Sequence, residues 1–297
     1  MSIIYFITTQ DIDTFQKKLQ ETLFNAVTMP FPLLFDKRYA ALINTAYLKL
    51  TLPAECLTPE FYRYLRELSL QWQFDFFIKP QPLPANGIIA FDMDSTFIAE
   101  EGVDEIAREL GMSTQITAIT QQAMEGKLDF NASFTRRIGM LKGTPKAVLN
   151  AVCDRMTLSP GLLTITILPV IKAKGFKTAI ISGGLDIFTQ RLKERYQLDY
   201  AFSNTVEIRD NVLTDNITLP IMNAANKKQT LVDLAARLNI ATENIIACGD
   251  GANDLPMLEH AGTGIAWKAK PVVREKIHHQ INYHGFELLL FLIEDEL

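Results

Sequence analysis

The residues Asp92-Met93-Asp94-Ser95-Thr96 follow directly on the apolar run Ile88–Phe91. Residues two apart in extended chain lie on the same side, so the carboxylates of Asp92 and Asp94 can face one ligand. Two adjacent acids repel each other, and after a buried strand such a pair calls for a cation. An acidic solvated loop would have the same composition. Further along, Gly249-Asp250-Gly251-Ala252-Asn253-Asp254 follows the apolar run Ile245–Cys248. Its two acids, with glycines and an amide between them, suit one metal ligand and one group that orients its surroundings.

Two other segments carry groups that suit an anion. Ser182-Gly183-Gly184 closes the apolar stretch Phe176–Ile181. A small hydroxyl followed by glycines lets backbone N–H groups approach a phosphate at a helix start, although Ser-Gly-Gly is also ordinary turn chemistry. Lys227 opens a helix whose apolar stripe is Leu231, Leu234, Ala235 and Leu238. A cation in a first helical turn opposes the macrodipole, which a bound anion would explain. Lys228 is the neighbouring alternative.

The elements needed to position these groups can be read from periodicity. Ile88–Phe91, Phe176–Ile181, Ile245–Cys248 and Thr263–Ala266 are expected as parallel strands alternating with helices. Ser159 as N-cap, Pro160 at the first position, Lys172 and Lys174 in the last turn and Gly175 beyond predict a helix ahead of the second strand. About seventy residues between the first two strands carry only helical patterns, punctuated by Gly111, Gly126 and Gly143. Such an insertion should sit over the carboxyl edge of the sheet, where open α/β folds bind ligands.

On the helix opened by Asp129, the apolar stripe Phe130, Phe134, Ile138 and Leu141 places Arg137 about 20° from Phe130 and Arg136 about 120° away. An inward arginine needs an anion, and a carboxylate suits its planar fork.

Ahead of this unit, Ile3–Thr8, Ile12–Leu23, Pro32–Phe35, Tyr39–Leu50, Pro59–Trp72 and Phe74–Ile78 read as strand, helix, strand, strand, helix, strand. The proline-rich stretch after Lys79 is expected to be a semi-rigid spacer. The domain boundaries are therefore 1–79, a linker at 80–86, a core at 87–99 and 159–297, and a helical cap at 100–158.

Composition narrows the partners. A formal charge of −5 across 297 residues argues against nucleic acid and for a small molecule. Cys56, Cys153 and Cys248 lack any paired spacing and read as reduced thiols of a cytoplasmic protein. Neither the N-terminal apolar run nor Leu288–Ile293 suits a signal peptide or a membrane span. His260, His278, His279 and His284 form no ligand spacing.

Taken in order, D-M-D-S-T, S-G-G and G-D-G-A-N-D resemble the motifs of the haloacid-dehalogenase superfamily, within it the phosphoserine phosphatases, over roughly Gly87 to Ile293. The resemblance implies a Rossmann-like parallel sheet with an inserted helical cap. It implies Mg²⁺-dependent hydrolysis of O-phospho-L-serine through a phosphoaspartate, the last step of serine biosynthesis. Asp92 would be the nucleophile and Asp94 the acid and base. Magnesium would bind Asp92, Asp250 and the backbone carbonyl of Asp94, with Asp254 ordering its surroundings. Ser182, the Gly183 N–H and Lys227 would hold the phosphate, and Asn253 would touch substrate or phosphate. Glu101, with Glu100 as alternative, would take the substrate ammonium, Arg137 its carboxylate, and Met124 and Phe130 would line the pocket.

The N-terminal unit more loosely resembles small ACT-like (ferredoxin-like) domains attached to some members. That leaves open a regulatory amino-acid site, a homodimer surface or a bare appendage. Other readings keep the phosphoaspartate with another ester such as phosphohomoserine or another acceptor than water, or make the chain a non-catalytic ligand-binding protein of this fold.

Overall fold

The computed structural model describes residues 2–26, 33–41, 44–79, 86–124, 127–162 and 167–294. The chain opens with β1 (Ser2–Thr8), α1 (Ile12–Ala26), β2 (Phe35–Ala40), β3 (Thr45–Leu52), α2 (Pro59–Trp72) and β4 (Phe74–Ile78). The four strands form an antiparallel sheet in the order β2-β3-β1-β4, the split βαβ arrangement expected from the element order. The second and third strands are displaced from the expected Pro32–Phe35 and Tyr39–Leu50. Asn44, at a positive φ of 51°, follows the end of β2 at Ala40. The charged residues 36–38 lie exposed on this edge strand, so alternation gave no signal there. Thr58 caps α2 by accepting the Phe61 N–H, and Pro59 fits the first turn.

One face of this sheet buries Phe6, Phe74 and Phe76 against Phe15 and Leu19 of α1 and Leu65 of α2. The other face carries Tyr5, Ile7, Tyr47 and Phe77 into the large core of the remaining chain. There the Phe291 ring sits 5.1 Å from that of Tyr5 and 4.9 Å from that of Tyr47. The apolar run 288–293 is thus the filling between two sheets. Asp75 fastens the same junction. Its carboxylate, 1% exposed, accepts from the backbone N–H groups of Asn282, Tyr283 and His284 at 2.8, 3.1 and 3.0 Å, and pairs with His284 Nδ1 at 2.8 Å. Residues 80–85 of the expected linker lie outside the described residues.

The second sheet begins with β5 (Ile88–Phe91). Four helices follow: α3 (Gly102–Glu109), α4 (Ser113–Met124), α5 (Phe130–Leu141) and α6 (Lys146–Arg155). Then come α7 (Ile167–Ala173), β6 (Lys177–Leu185), α8 (Asp186–Tyr196), β7 (Tyr200–Asn204), β8 (Val206–Arg209), β9 (Val212–Ile217) and α9 (Ala224–Leu238). The chain finishes with β10 (Ile245–Gly249), α10 (Leu255–His260), β11 (Thr263–Trp267), α11 (Pro271–Lys276), β12 (His279–Ile281) and α12 (Leu290–Ile293). The parallel order is β12-β11-β10-β5-β6-β7. β5 therefore lies centrally, with Phe91 paired to Cys248 on one side and Ile180 on the other.

Several expectations are corrected here. Strand β6 continues through Ser182-Gly183-Gly184 to Leu185, so these glycines stand in a strand with an irregular register rather than at a helix start. β7 and β12 join the sheet without having been read from the sequence. The helix expected from Pro160 begins at Ile167 in the described residues. Gly161 has a φ of 82°, and a Cβ there would meet the Phe286 N at 2.3 Å, so Ser159-Pro160-Gly161 forms a turn pressed against the C-terminal segment.

The insertion is helical as read, but it is completed by the β8–β9 hairpin from later in the chain. The Gly143 N–H donates to the Leu213 carbonyl and the Leu213 N–H to the Thr144 carbonyl, both at 2.8 Å. At the hinge, Ile98 and Leu158 form an antiparallel bridge, and the Glu100 carboxylate accepts from the Thr157 N–H and hydroxyl.

Asp75→Ala removes the acceptor of three backbone N–H groups at the junction. The expected outcome is a loss of about 3 kcal/mol in stability, measured by urea denaturation.

Candidate active site

The segments with chemical potential meet at the carboxyl edge of the six-stranded sheet. Asp92 follows β5 and Asp250 follows β10, because adjacent parallel strands in register end side by side. The Asp92 backbone N–H extends the ladder to the Cys248 carbonyl at 2.9 Å. Asp92 Oδ1 accepts from the Met93 N–H and from Lys227 Nζ, both at 2.7 Å. Its Oδ2 has no protein partner among the described residues.

Lys227 is fully buried, in the first turns of α9, which Asn223 caps by accepting the Asn226 N–H. Its ammonium lies 2.7 Å from both Asp92 Oδ1 and Asp254 Oδ1. Burial would push this group down, but Asp254 and Asp92 outweigh it and hold the ammonium above its ordinary range. Lys228 is exposed and Lys227 is the inward lysine. Asp254 Oδ2 accepts the Gly251 N–H at 3.0 Å, so both its oxygens are engaged within the protein.

Carboxylate oxygens of Asp92, Asp250 and Asp254 lie within 4.8 Å of one another. Burial first, then Asp254, pushes the Asp92 carboxyl well above the usual range despite Lys227. Asp250 is likewise raised by burial, with Lys270 Nζ at 3.5 Å from its Oδ2. Three clustered acids with one buried ammonium leave negative charge uncompensated, and the all-oxygen donor set fits a hard divalent cation. Because Asp254 is already held by Lys227 and Gly251, Asp92 and Asp250 are the carboxylates available to such an ion. The Asp94 side chain belongs to no such cluster.

Asp94 instead turns toward the cap, where its Oδ1 accepts the Gly102 N–H at 2.7 Å. Burial, and after it the Glu101 charge, raises its carboxyl to about 7. A carboxyl that holds its proton near neutrality can donate it to a leaving oxygen.

A cavity of about 170 Å³ connects these groups, lined by Asp92, Asp94, Glu101, Val103, Phe130, Arg137, Gly183, Gly184, Asp250, Asn253 and Lys270. Glu101 is in it and Glu100 is not, being spent on Thr157 at the hinge. Arg137 reaches the cavity, and its Nε is buried without a partner among the described residues. Arg136 points outward to Gln122. Ser182 is buried under the floor, with its hydroxyl accepting the Gly184 N–H at 2.9 Å. Phe130 packs so closely that a Cβ on Gly183 would meet its ring at 2.8 Å. The Met124 side chain lies outside the described residues. Lys270 and Val103 were missed, and Gly184 was read only as part of the Ser-Gly-Gly segment. Lys270 stands far along the chain from any motif, while Gly184 is needed because a Cβ there would lie 2.9 Å from Asp94 Oδ2.

The family model for haloacid dehalogenase-like hydrolases matches residues 89–259. The chain belongs to this family. It is 40% identical to a phosphoserine phosphatase of Archaeoglobus fulgidus over 188 residues, 63% of this chain and 54% of that protein. The chain thus spans about half the length of that relative. A crystal structure of a HAD family hydrolase from Salmonella enterica subsp. enterica serovar Typhi is 97% identical, with a TM-score of 0.96 and 100% of each chain covered. A structure described as the phospho-aspartyl intermediate analogue of phosphoserine phosphatase is 37% identical, with a TM-score of 0.64 over 69% of this chain and 98% of that one. Among the described residues no helix is long and apolar enough to cross a membrane.

The raised Asp94 carboxyl has a sign that can be checked. In chelator, native Asp94 keeps its proton up to about 7 whereas unfolded Asp94 loses it near 3.8. The native state binds the extra proton, so its contribution to stability is present below 3.8 and is lost as pH rises toward 7. Across that window the melting temperature of Asp94→Asn should rise relative to the unsubstituted protein in excess chelator, as followed by thermal melts.

Proposed function

We propose that the chain is a magnesium-dependent phosphoserine phosphatase working through an aspartyl phosphate on Asp92. The observation that carries this is one small cavity whose walls hold an attacking carboxylate, a protonated acid, an acidic group and a guanidinium. Those groups match the phosphate ester, the leaving oxygen, the ammonium and the carboxylate of phosphoserine. The likeness to an aspartyl-phosphate analogue supports the covalent step.

Lys227 and the Met93 N–H hold Asp92 Oδ1, which leaves Oδ2 to attack phosphorus. The bond from phosphorus to the seryl oxygen breaks, and that oxygen takes the proton of Asp94. Asp94, now ionised, removes a proton from water, whose oxygen attacks phosphorus. The acyl-phosphate bond breaks, Asp92 regains its electron pair and phosphate leaves. Asp92, Asp250 and the Asp94 backbone carbonyl would hold Mg²⁺, which when bound supplies positive charge at the phosphate oxygens. Lys227 contributes further positive charge, and Gly183, Gly184 and Asn253 line the phosphate end. Arg137, with a buried Nε lacking a partner among the described residues, is suited to the substrate carboxylate.

The decisive test is phosphate release from a panel of phosphorylated small molecules with and without magnesium, phosphoserine being the preferred ester. Asp92→Asn should stay folded and lose turnover, because the amide is a poor nucleophile and a weaker metal ligand; near-normal release would sink the assignment. Arg137→Ala should lower kcat/KM for phosphoserine about thirtyfold or more and affect phosphoethanolamine, which lacks the carboxylate, far less. Arg136→Ala should change neither.

A further inference from the structure

Ser95 is a residue of the first motif to which the chemistry above gives no work. It adopts φ 54° and ψ 6°, a left-handed conformation that costs a non-glycine residue on the order of 1 kcal/mol. The surroundings hold it there: the Ser95 N–H donates to the Glu100 carbonyl at 3.1 Å. This conformation aims the side chain at the cap, where Ser95 Oγ donates to Glu101 Oε1 at 2.7 Å. The neighbouring pair runs in the opposite sense. Asp94 Oδ1 accepts at 2.7 Å from the N–H of Gly102, the residue after Glu101. Two adjacent residues of the core loop thus grip two adjacent residues at the start of α3, one by accepting and one by donating.

We propose that Ser95 is a specificity-determining positioning residue, whose hydroxyl fixes the Glu101 carboxylate in the orientation that receives the ammonium of an α-amino phosphate ester. This deepens the phosphoserine reading and rests on it. Glu101 has a long side chain that stands at the cavity mouth, exposed to water. Without a partner it would spread over several rotamers, and the substrate would bear the cost of ordering it. With one oxygen tied to Ser95, the other is left for the ligand. The Asp94–Gly102 bond seats the same turn on the acid that protonates the leaving oxygen, so the amine reader and the acid share one support. Ser95 itself lies outside the residues lining the cavity, and its influence passes through Glu101.

The test compares kcat/KM for phosphoserine with that for 3-phosphoglycerate, which has the same skeleton with a hydroxyl in place of the ammonium. Ser95→Ala removes the donor, and Ser95→Gly removes it while adopting the positive φ without strain, which protects the fold. Each should lower the ratio of the two kcat/KM values about fivefold. Glu101→Gln should lower it further, and Ser95→Ala combined with Glu101→Gln should match Glu101→Gln alone, because the serine acts through the glutamate. A folded Ser95→Gly with an unchanged ratio would overturn the proposal, as would a double variant in which the two losses multiply. If the unsubstituted enzyme shows no preference for phosphoserine, the substrate reading fails and this inference with it.

Discussion

The site depends on one buried ammonium. Lys227 is enclosed without solvent contact and shared at 2.7 Å between Asp92 and Asp254. Taking an ion of this size out of water costs several kcal/mol, which only close and well-aligned counter-charges offset. That requirement fixes three elements at once: the end of β5, the start of α9 and the loop after β10. It also sorts the acids. Asp254 is saturated by Lys227 and the Gly251 N–H, so it serves as a strut, whereas Asp92 keeps one oxygen unengaged toward the cavity. A single cation thereby separates a carboxylate spent within the protein from one that faces the cavity.

The opposing wall comes from the cap, and the two are joined by short polar contacts at the hinge. Glu100 is consumed by Thr157, Glu101 is turned inward by Ser95, and Asp94 takes the first N–H of α3. This last bond gives α3 an acceptor for one of its unpaired N-terminal donors, with the acceptor supplied by the core. Cap position and acid orientation are consequently one variable. The β8–β9 hairpin braces the far side of the cap through backbone pairing with residues 143–146. The insertion is therefore supported from both halves of the core.

The N-terminal sheet is built into this body. One face is covered by its own two helices, and the other closes over Phe291 and the C-terminal segment. Arg66 of α2 donates to the Arg274 and Glu275 carbonyls near the end of α11. At the other end of α11, the Lys270 N–H donates to the Asp250 carbonyl at 2.9 Å. A short helix thus runs from the domain junction to the backbone of Asp250 in the candidate site.

Much of this could be read from the sequence, because local rules were sufficient for it. The alternation of apolar runs and helices placed four of the six parallel strands, and the helical period separated Arg137 from Arg136, an assignment that needs only about 100° per residue. The acids of the two motifs were evident from their position after buried strands. Other features depend on distant parts of the chain. β7 and β12 are the two edge strands of the sheet, and they become strands through the neighbours they pair with. Ser182-Gly183-Gly184 had the composition of a turn, yet it stays in a strand between Ile181 and Leu185, both paired with β7, and its glycines leave room for Phe130 and Asp94. The helix signals at Ser159 and Pro160 were overridden by the C-terminal segment packed on Gly161. The choices between Glu100 and Glu101, and between Lys227 and Lys228, turned on which side chain found a partner across the fold. Sequence determined which chemistry the chain carries, through residue type and local period. Tertiary structure alone decided which of two adjacent like charges is turned into the site, since burial and counter-charge are supplied by residues far away along the chain.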